Sequence, residues 1–382
     1  MIILFVTATL TSGGSERVMS LLANQLAERG HRVEIVNLNK HIVFYPIHKD
    51  VHLSFAEEKV GSSIFRKIGW LRKYVKTKKP DVVIPFMEAV YCVTLLALIG
   101  VKVPVISSER IDPRHSPRLR NILRKIFLPQ TTHLVVQTKD IKAFYPKFIQ
   151  KKTTIIYNPV SETVFHLQEE PKENTIISVG KLDGQKNQKL LINAFASIAK
   201  DFPDWRLVIY GEGPERNALE SLVESLSPTL KSPTPTLPRR EGDLNDDNHN
   251  NSSRILLPGR CEKVIEEMNK AKVFAFSSDF EGMSNAILEA VCVGLPVVTT
   301  NVSGAAELVK NGEGGFVVPI RDEKALAEAL RKILQDENLR EKMMCTNKAR
   351  AKEFKQDMIV NQWEELIKKI VDNYGSATKK EN

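Results

Sequence analysis

The chain has little cysteine and no long apolar run, and each scarcity narrows what it can be. Its four cysteines, Cys92, Cys261, Cys292 and Cys345, stand singly. They make no C-x-x-C pair and no zinc-ligand spacing, which argues against a disulfide scaffold or a zinc module and for a reducing compartment. The apolar start, MIILFVTATL, is too short to span a bilayer and lacks a basic leader, so it reads as a first buried strand. No other run reaches membrane-spanning length. The first glycine loop is not G-x-G-x-x-G, so a dinucleotide fingerprint is weak. Aspartate-rich metal motifs of the D-x-D kind are missing outside residues 227–253, and no histidine stands out as a general base.

What is present fits an ordinary globular chain of two domains. Its 382 residues exceed one core, and 42% hydrophobic and 26% charged residues are typical of such proteins. The net charge of +9 points to an anionic partner.

The pattern alternates strand and helix. A strand over residues 2–6 leads into a loop with Gly13 and Gly14, a helix over 16–29 stopped by Gly30, and a strand over 33–38. This is a βαβ unit, and the glycines let a backbone approach an anionic ligand or simply make a tight turn. Further strands are expected at 82–86, 103–107 and 133–137. Glu109 and Arg110 lie just past one strand end, where open α/β sheets bind ligands. They read as contacts for a ligand, with Arg110 able to grip a phosphate group in a bidentate manner, or as a local salt bridge.

Two stretches are basic and amphipathic with no acid at all. In residues 64–75, Ile64, Ile68, Leu71 and Val75 form one face beside Arg66, Lys67, Arg72 and Lys73. In residues 116–128, Leu119, Ile122, Leu123, Ile126 and Phe127 form a stripe flanked by Arg118, Arg120, Arg124 and Lys125. They are read as solvated surface helices or as a patch for anionic lipid headgroups. Nucleic acid is set aside, because no recognition motif accompanies the charge.

The stretch over residues 277–304, SSDFEGMSNAILEAVCVGLPVVTTNVSG, is the most informative. Ser284 and Asn285 are N-cap types opening a helix over 286–293, Gly294 stops it, and a buried strand follows. A helix N-terminus can hold a phosphate. Glu281 precedes that terminus and Glu289 lies about two turns in, so hydroxyls on either side of a diphosphate can be bound, the layout of a nucleotide sugar. Two glutamates eight residues apart are also common by chance.

This stretch resembles the donor-site signature of the retaining glycosyltransferases of family 4, with its E-x7-E pair at Glu281 and Glu289. The resemblance is specific over residues 175–308 and looser before them. It implies the GT-B fold class: α/β, two Rossmann-like parallel-sheet domains facing across a cleft, with a C-terminal helix crossing back. The domains are then 1–165 for the acceptor and 166–355 for the nucleotide sugar, with the helix at 356–374 and a frayed tail. Residues 227–253, rich in Pro, Asn, Asp and Ser, read as a disordered insertion outside any core. Asp243, Asp246, Asp247 and His249 there only imitate a metal cluster.

The resemblance further implies sugar transfer from a UDP-sugar, ahead of a GDP-sugar, to a saccharide acceptor carried on a lipid diphosphate, in bacterial surface-polysaccharide assembly. Glu281, Lys186 and Lys181 would do the catalytic work. Gly14, Gly211, Gly213, Met283, Ser284, Asn285 and Glu289 would bind the donor. Gly13, Glu109 and Arg110 would meet the acceptor. Lysine at position 181, commonly arginine in the family, keeps the charge but loses the planar fork. In the family the leaving phosphate takes the acceptor proton, so no histidine base is required. No metal and no cofactor are expected, and the protein is placed in the cytoplasm, on the inner face of the plasma membrane. A soluble acceptor, or a GT-B scaffold without turnover, are the rival readings.

Overall fold

Strands apolar on both faces need a helix on each side, and that is how both halves of the chain are built. A computed structural model describes residues 1–39, 42–168, 170–226, 230 and 253–380, the side chains of 377–380 excepted. The chain divides into two compact units, Met1–Pro159 with Phe354–Asn382, and Val160–Glu353.

The first unit contains strands β1 (Ile2–Thr7), β2 (Arg32–Asn37), β3 (His52–Phe55), β4 (Val82–Pro85), β5 (Ile106–Ser108), β6 (His133–Val136) and β7 (Thr153–Ile155). Its helices are α1 (Gly14–Glu28), α2 (Ala56–Val60), α3 (Ile64–Lys78), α4 (Glu88–Ala97), α5 (Arg118–Phe127), α6 (Lys139–Phe144) and α7 (Lys147–Gln150). Four strands run in the order β3-β2-β1-β4 and three in the order β5-β6-β7, all parallel. Bridges Val83–Val105 and Phe86–Ser108 join the two sets. Along β1 the side chains alternate: Ile3 and Phe5 pack with α1, Leu4 and Val6 with α3 and α4.

The second unit holds β8 (Glu173–Val179), α8 (Gln188–Ile198), β9 (Arg206–Tyr210), α9 (Arg216–Leu226), β10 (Ile255–Gly259), α10 (Val264–Lys270), β11 (Ala271–Phe276), α11 (Asn285–Val293), β12 (Val297–Thr300), α12 (Ala305–Leu308), β13 (Gly315–Val318), α13 (Glu323–Gln335) and α14 (Glu337–Arg350). Its parallel sheet runs β10-β9-β8-β11-β12-β13. The chain therefore builds outward from β8, then crosses to start again at β11. The β8/β11 junction is the switch point of a doubly wound sheet, where the loops at the strand ends leave a natural ligand crevice.

The last helix, α15 (Gln356–Lys380), belongs to the first unit. Ile359, Val360, Trp363 and Ile367 bury in that unit's core. Glu364 accepts from Arg29 Nη1 at 2.9 Å and lies 3.1 Å from His31 Nε2. The helix runs six residues past the expected 374, through Gly375, whose cost of about 1 kcal/mol in a helix is too small to stop it.

The unit boundary falls after Pro159, not at 165. A short 3-10 turn, Glu162–His166, buries Val164 in the second unit. The expected insertion at 227–253 lies outside the described residues except at its edges. One of those, Leu230, is fully buried in the second core, and its carbonyl accepts from Arg254 Nε at 3.4 Å. That residue at least packs, because an aliphatic side chain among polar neighbours still gains by burial. Among the described residues no helix is long and apolar enough to cross a membrane.

The helix expected over 116–128 forms as α5, and it does not turn its apolar stripe inward as an ordinary surface helix does. Its apolar stripe faces out, with Leu119 67%, Ile122 53% and Ile126 56% exposed, while Arg124 is buried. The reason is electrostatic. Arg124 Nη2 lies 3.2 Å from Glu109 Oε2 and 3.5 Å from Glu88 Oε2, and its Nε donates to Tyr91 Oη at 2.9 Å.

Candidate functional site

Two loops meet at the β8/β11 switch point, residues 180–187 after β8 and 277–284 after β11. Main-chain and side-chain hydrogen bonds stitch them together. Asp279 N donates to Gln185 O at 2.8 Å, and Gln185 Nε2 donates to Phe280 O at 2.8 Å. Ser277 Oγ donates to the carbonyl of Lys186 at 3.0 Å, and Ser278 Oγ lies 3.0 Å from the carbonyl of Gln185. Asn187 Nδ2 donates to Asp279 Oδ1 at 3.0 Å, and Arg321 grips Asp279 Oδ2 with Nε and Nη2 at 2.8 and 2.6 Å. Asn187 and Arg321 both hold positive φ, +46° and +62°. Asparagine tolerates that conformation; for arginine it is a strain of the sort found where geometry is imposed.

The stitching brings Lys186 onto Glu281. Lys186 Nζ lies 2.5 Å from Glu281 Oε1 and 5.2 Å over the Phe276 ring. Ser278 Oγ donates to the same carboxylate oxygen at 2.7 Å. Three residues on, Ser284 caps α11 by accepting from Ile287 N at 3.4 Å, and Gly294 closes the helix at φ +91°. Met283, Ser284 and Glu289 are all buried, with Asn285 as the first helical residue. A carboxylate three residues before a capped helix N-terminus is thus paired with a cation from the other loop, an arrangement suited to binding a diphosphate between hydroxyl-bearing groups.

Lys181 stands apart from this pair. Its side chain is 66% exposed and its Nζ lies 3.7 Å from Asp183 Oδ2. Gly211 and Gly213 serve a close crossing of loops: a Cβ at Gly211 would sit 1.8 Å from Gly180 O, and one at Gly213 2.1 Å from Leu182 O. Gly180 N to Tyr210 O and Leu182 N to Glu212 O, both 3.0 Å, lock that crossing. The two glycines hold the Lys186 loop in place from behind.

In the first unit Gly13 is the N-cap of α1 and Gly14 its first residue. Glu16 braces the loop, accepting from Thr9 Oγ1 at 2.8 Å and Ser15 Oγ at 2.6 Å. Ser15 Oγ also meets Met87 Sδ at 3.3 Å, and Met87 is strained at φ +73°.

Glu109 and Arg110 do not form the expected surface pair. Glu109 is fully buried and bonded to Tyr91 Oη at 2.9 Å, Tyr145 Oη at 2.7 Å and Arg124. Its oxygens are taken up internally, so contact with an acceptor is withdrawn for it, and its salt bridge is with Arg124 rather than Arg110. Burial raises the pKa of Glu88, opposed by the charge of Arg124, and pushes both Tyr91 and Tyr145 well above the phenolic range. Arg110 is buried under the rings of Phe86, at 4.5 Å, and Trp363, at 5.7 Å. Its Nη1 donates to Asn158 Oδ1 at 2.9 Å, while Nε and Nη2 have no hydrogen-bond partner. Burial pulls its pKa down.

Sequence reasoning missed Asp279, Ser278, Gln185 and Arg321, and also Glu88, Tyr91 and Arg124 as a network. Asp279 and Ser278 were visible as short polar residues directly after a strand, next to Glu281. Nothing local marked Arg321, which comes from a loop 42 residues away. Burial pushes Cys92 and Cys292 up to about 12, which makes nucleophiles of neither. Among the described residues no group of three or more His, Cys, Asp or Glu could hold a metal ion.

Known proteins share this architecture. Residues 173–336 match the family model described as Glycosyl transferases group 1, and residues 12–164 the one described as Glycosyltransferase Family 4. The chain is 30% identical, over 96% of its length and 98% of the relative, to the GalNAc-alpha-(1->4)-GalNAc-alpha-(1->3)-diNAcBac-PP-undecaprenol alpha-1,4-N-acetyl-D-galactosaminyltransferase of Campylobacter jejuni. It is 23% identical to the amylovoran biosynthesis glycosyltransferase AmsD of Erwinia amylovora, over 93% of this chain and 96% of that one. The crystal structure of Anabaena HepE in complex with UDP superimposes with a TM-score of 0.74 at 17% identity, covering 97% of this chain and all of that one. With end-to-end similarity to a named transferase and family models on both halves, the chain belongs to glycosyltransferase family 4, and it is a glycosyltransferase of the GT-B fold.

Proposed function

We propose that the enzyme moves a sugar from a nucleoside diphosphate donor, a UDP-sugar ahead of a GDP-sugar, to a saccharide carried on a lipid diphosphate, with retention at the anomeric carbon. The observation that carries this reading is the Lys186–Glu281 pair, 2.5 Å apart, beside the capped N-terminus of α11. The lipid-linked acceptor in the name of the Campylobacter relative and the exopolysaccharide of the Erwinia relative support an acceptor of surface-polysaccharide assembly. The UDP bound by Anabaena HepE supports the choice of base.

In this reading the transition state spreads negative charge onto the departing diphosphate. Lys186, the α11 amides and, from a more exposed position, Lys181 stabilise that charge better than water does, because they need not reorient. Glu281 takes a donor-sugar hydroxyl and Glu289 the ribose. The leaving phosphate accepts the acceptor's proton as the new bond forms. Lysine charge and helix dipole supply the neutralisation, so neither a metal nor a cofactor is part of the proposal. Gly13 and Gly14 let the acceptor approach α1. Arg110, a buried cation with two unpaired nitrogens, is the acceptor-side residue for an anionic group. The enzyme works in the cytoplasm, on the anionic inner face of the plasma membrane.

The test is a thermal-shift panel of UDP, GDP and their sugars, with and without EDTA. Ligand at about 100 times its Kd adds about 2.7 kcal/mol to the folded state. A clear rise with UDP, unchanged by EDTA, is expected. A flat panel, or a rise that EDTA abolishes, would count against the donor site as drawn.

A further inference from the structure

Helix α5 buries one of its arginines, Arg124, and exposes its aliphatic stripe. At on the order of 100° per residue, Leu119, Ile122, Leu123 and Ile126 share one side, and Asn121 and Arg124 lie opposite. The structure follows this division: the four aliphatics are exposed, Asn121 is half-buried and Arg124 is buried. Asn121 and Arg124 make the helix's hydrogen bonds on its inner side, and Arg120, though exposed, lies with Nη1 3.9 Å from Glu88 Oε2. Arg124 is held by Glu88, Glu109 and Tyr91, and Arg124 Nη2 donates to Ser116 Oγ at 3.1 Å. Asn121 Nδ2 donates to Ser116 O at 3.2 Å. An ordinary surface helix does the reverse and sinks its apolar stripe into the core.

We infer that the outward stripe of α5 inserts into the acyl boundary of an anionic bilayer and so docks the enzyme on the membrane. Charge complementarity selects this occupant. The stripe is bordered by exposed Arg118 and Lys125 on one side and exposed Arg120 on the other, with Arg114 just before the helix and no acid between residues 113 and 130. An apolar face rimmed by cations fits an anionic interface, which takes aliphatic side chains below and basic ones at headgroup level. A second copy of this chain would bring the same cations against each other. The buried Arg124 network keeps the stripe aimed outward even in water, where those aliphatics would otherwise favour the core. This inference builds on the membrane-bound acceptor proposed above, and adds that attachment is partly apolar and therefore partly resistant to salt.

Flotation with vesicles of equal parts phosphatidylglycerol and phosphatidylcholine tests it. At about 0.5 M salt the Debye length is about 4 Å and pure charge attraction is largely screened. The wild type is expected to keep a salt-resistant bound fraction. A variant carrying Leu119→Ser, Ile122→Ser, Leu123→Ser and Ile126→Ser is expected to lose that fraction at least tenfold, roughly what removing one or more buried aliphatic side chains implies. A charge variant, Arg118→Gln with Lys125→Gln, should lose binding at low salt and keep the resistant part. Ile122→Trp adds apolar surface rather than removing it, so it keeps the argument open if the serine variant melts early. Its emission should be quenched by lipids brominated on the acyl chains. Equal salt-resistant flotation of wild type and serine variant, or no quenching of Ile122→Trp, would overturn the inference. So would a wild-type dimer in sedimentation that the serine variant splits without any change in flotation. Turnover on a short-tailed, water-soluble acceptor without vesicles is read separately. The serine variant should match wild type there within about twofold, and if wild type itself is inactive it is the proposed reaction that fails, while the flotation result still stands.

Discussion

Glu281 and Lys186 form a charged pair that is mostly shielded from water, so each is held in place by the other and by Ser278. Removing one partner leaves the other partly buried and unpaired, and it also removes a group from the transition state. Glu281→Ala and Lys186→Ala are each expected to lower kcat by about 100-fold or more, the scale of losing one preorganised electrostatic contact. Lys181→Ala should cost about tenfold or less, because its exposed ammonium acts through solvent. Steady-state turnover of donor into free nucleotide, with circular dichroism to check the fold, reads the series. Equal losses at Lys181 and Lys186 would contradict the separation seen between them.

At the scale of elements, α15 is fastened to the turn between α1 and β2 by Glu364, which meets Arg29 and His31 there and Lys368 on its own helix. Hydrogen bonding from Lys368, then from Arg29 and His31, outweighs burial and holds the Glu364 carboxyl at about 2 rather than 4.5. A depressed folded pKa means the folded state binds the proton less readily than the unfolded one. The stabilisation is therefore full above pH 4.5 and is lost as pH falls from there towards 2. Glu364→Gln is expected to lower the thermal midpoint at pH 7 by roughly 2–4 °C. The two midpoints should converge as pH approaches the folded pKa. A difference that persisted unchanged at low pH would mean that packing, not charge, fastens the helix.

The net charge of +9 acts on the molecule as a whole. An anionic donor is drawn to it over distances comparable to the Debye length, which is about 10 Å at 0.1 M salt. Raising salt from about 0.02 to 0.2 M should lower kcat/KM for the nucleotide sugar several-fold and leave kcat at saturating donor unchanged, since steering affects encounter and not the bound state. Initial rates at low and high donor separate the two. A fall in kcat alone would place the salt effect inside the site instead.

The alternation of apolar strands, glycine stops and capped helices determined the α/β class, because both the period of burial and the chemistry of helix ends are local, while the two doubly wound domains came from the family resemblance. Ser284, Gly294 and the helix between them could be read directly, and so could Glu281 and Lys186 as charged residues just past strand ends. Tertiary structure alone decided which charges meet. Asp279 and Arg321 are 42 residues apart and meet only because their loops leave the same edge of one sheet. Glu109 looked like a ligand contact and is an internal anchor, because Tyr91, Tyr145 and Arg124 converge on it from three other segments. Which face α5 turns outward was left open between two readings. Its own amphipathic pattern suited a solvated surface helix or a lipid-facing patch, and only the carboxylates of Glu88 and Glu109, supplied from elsewhere in the fold, made it cheaper to bury the arginine.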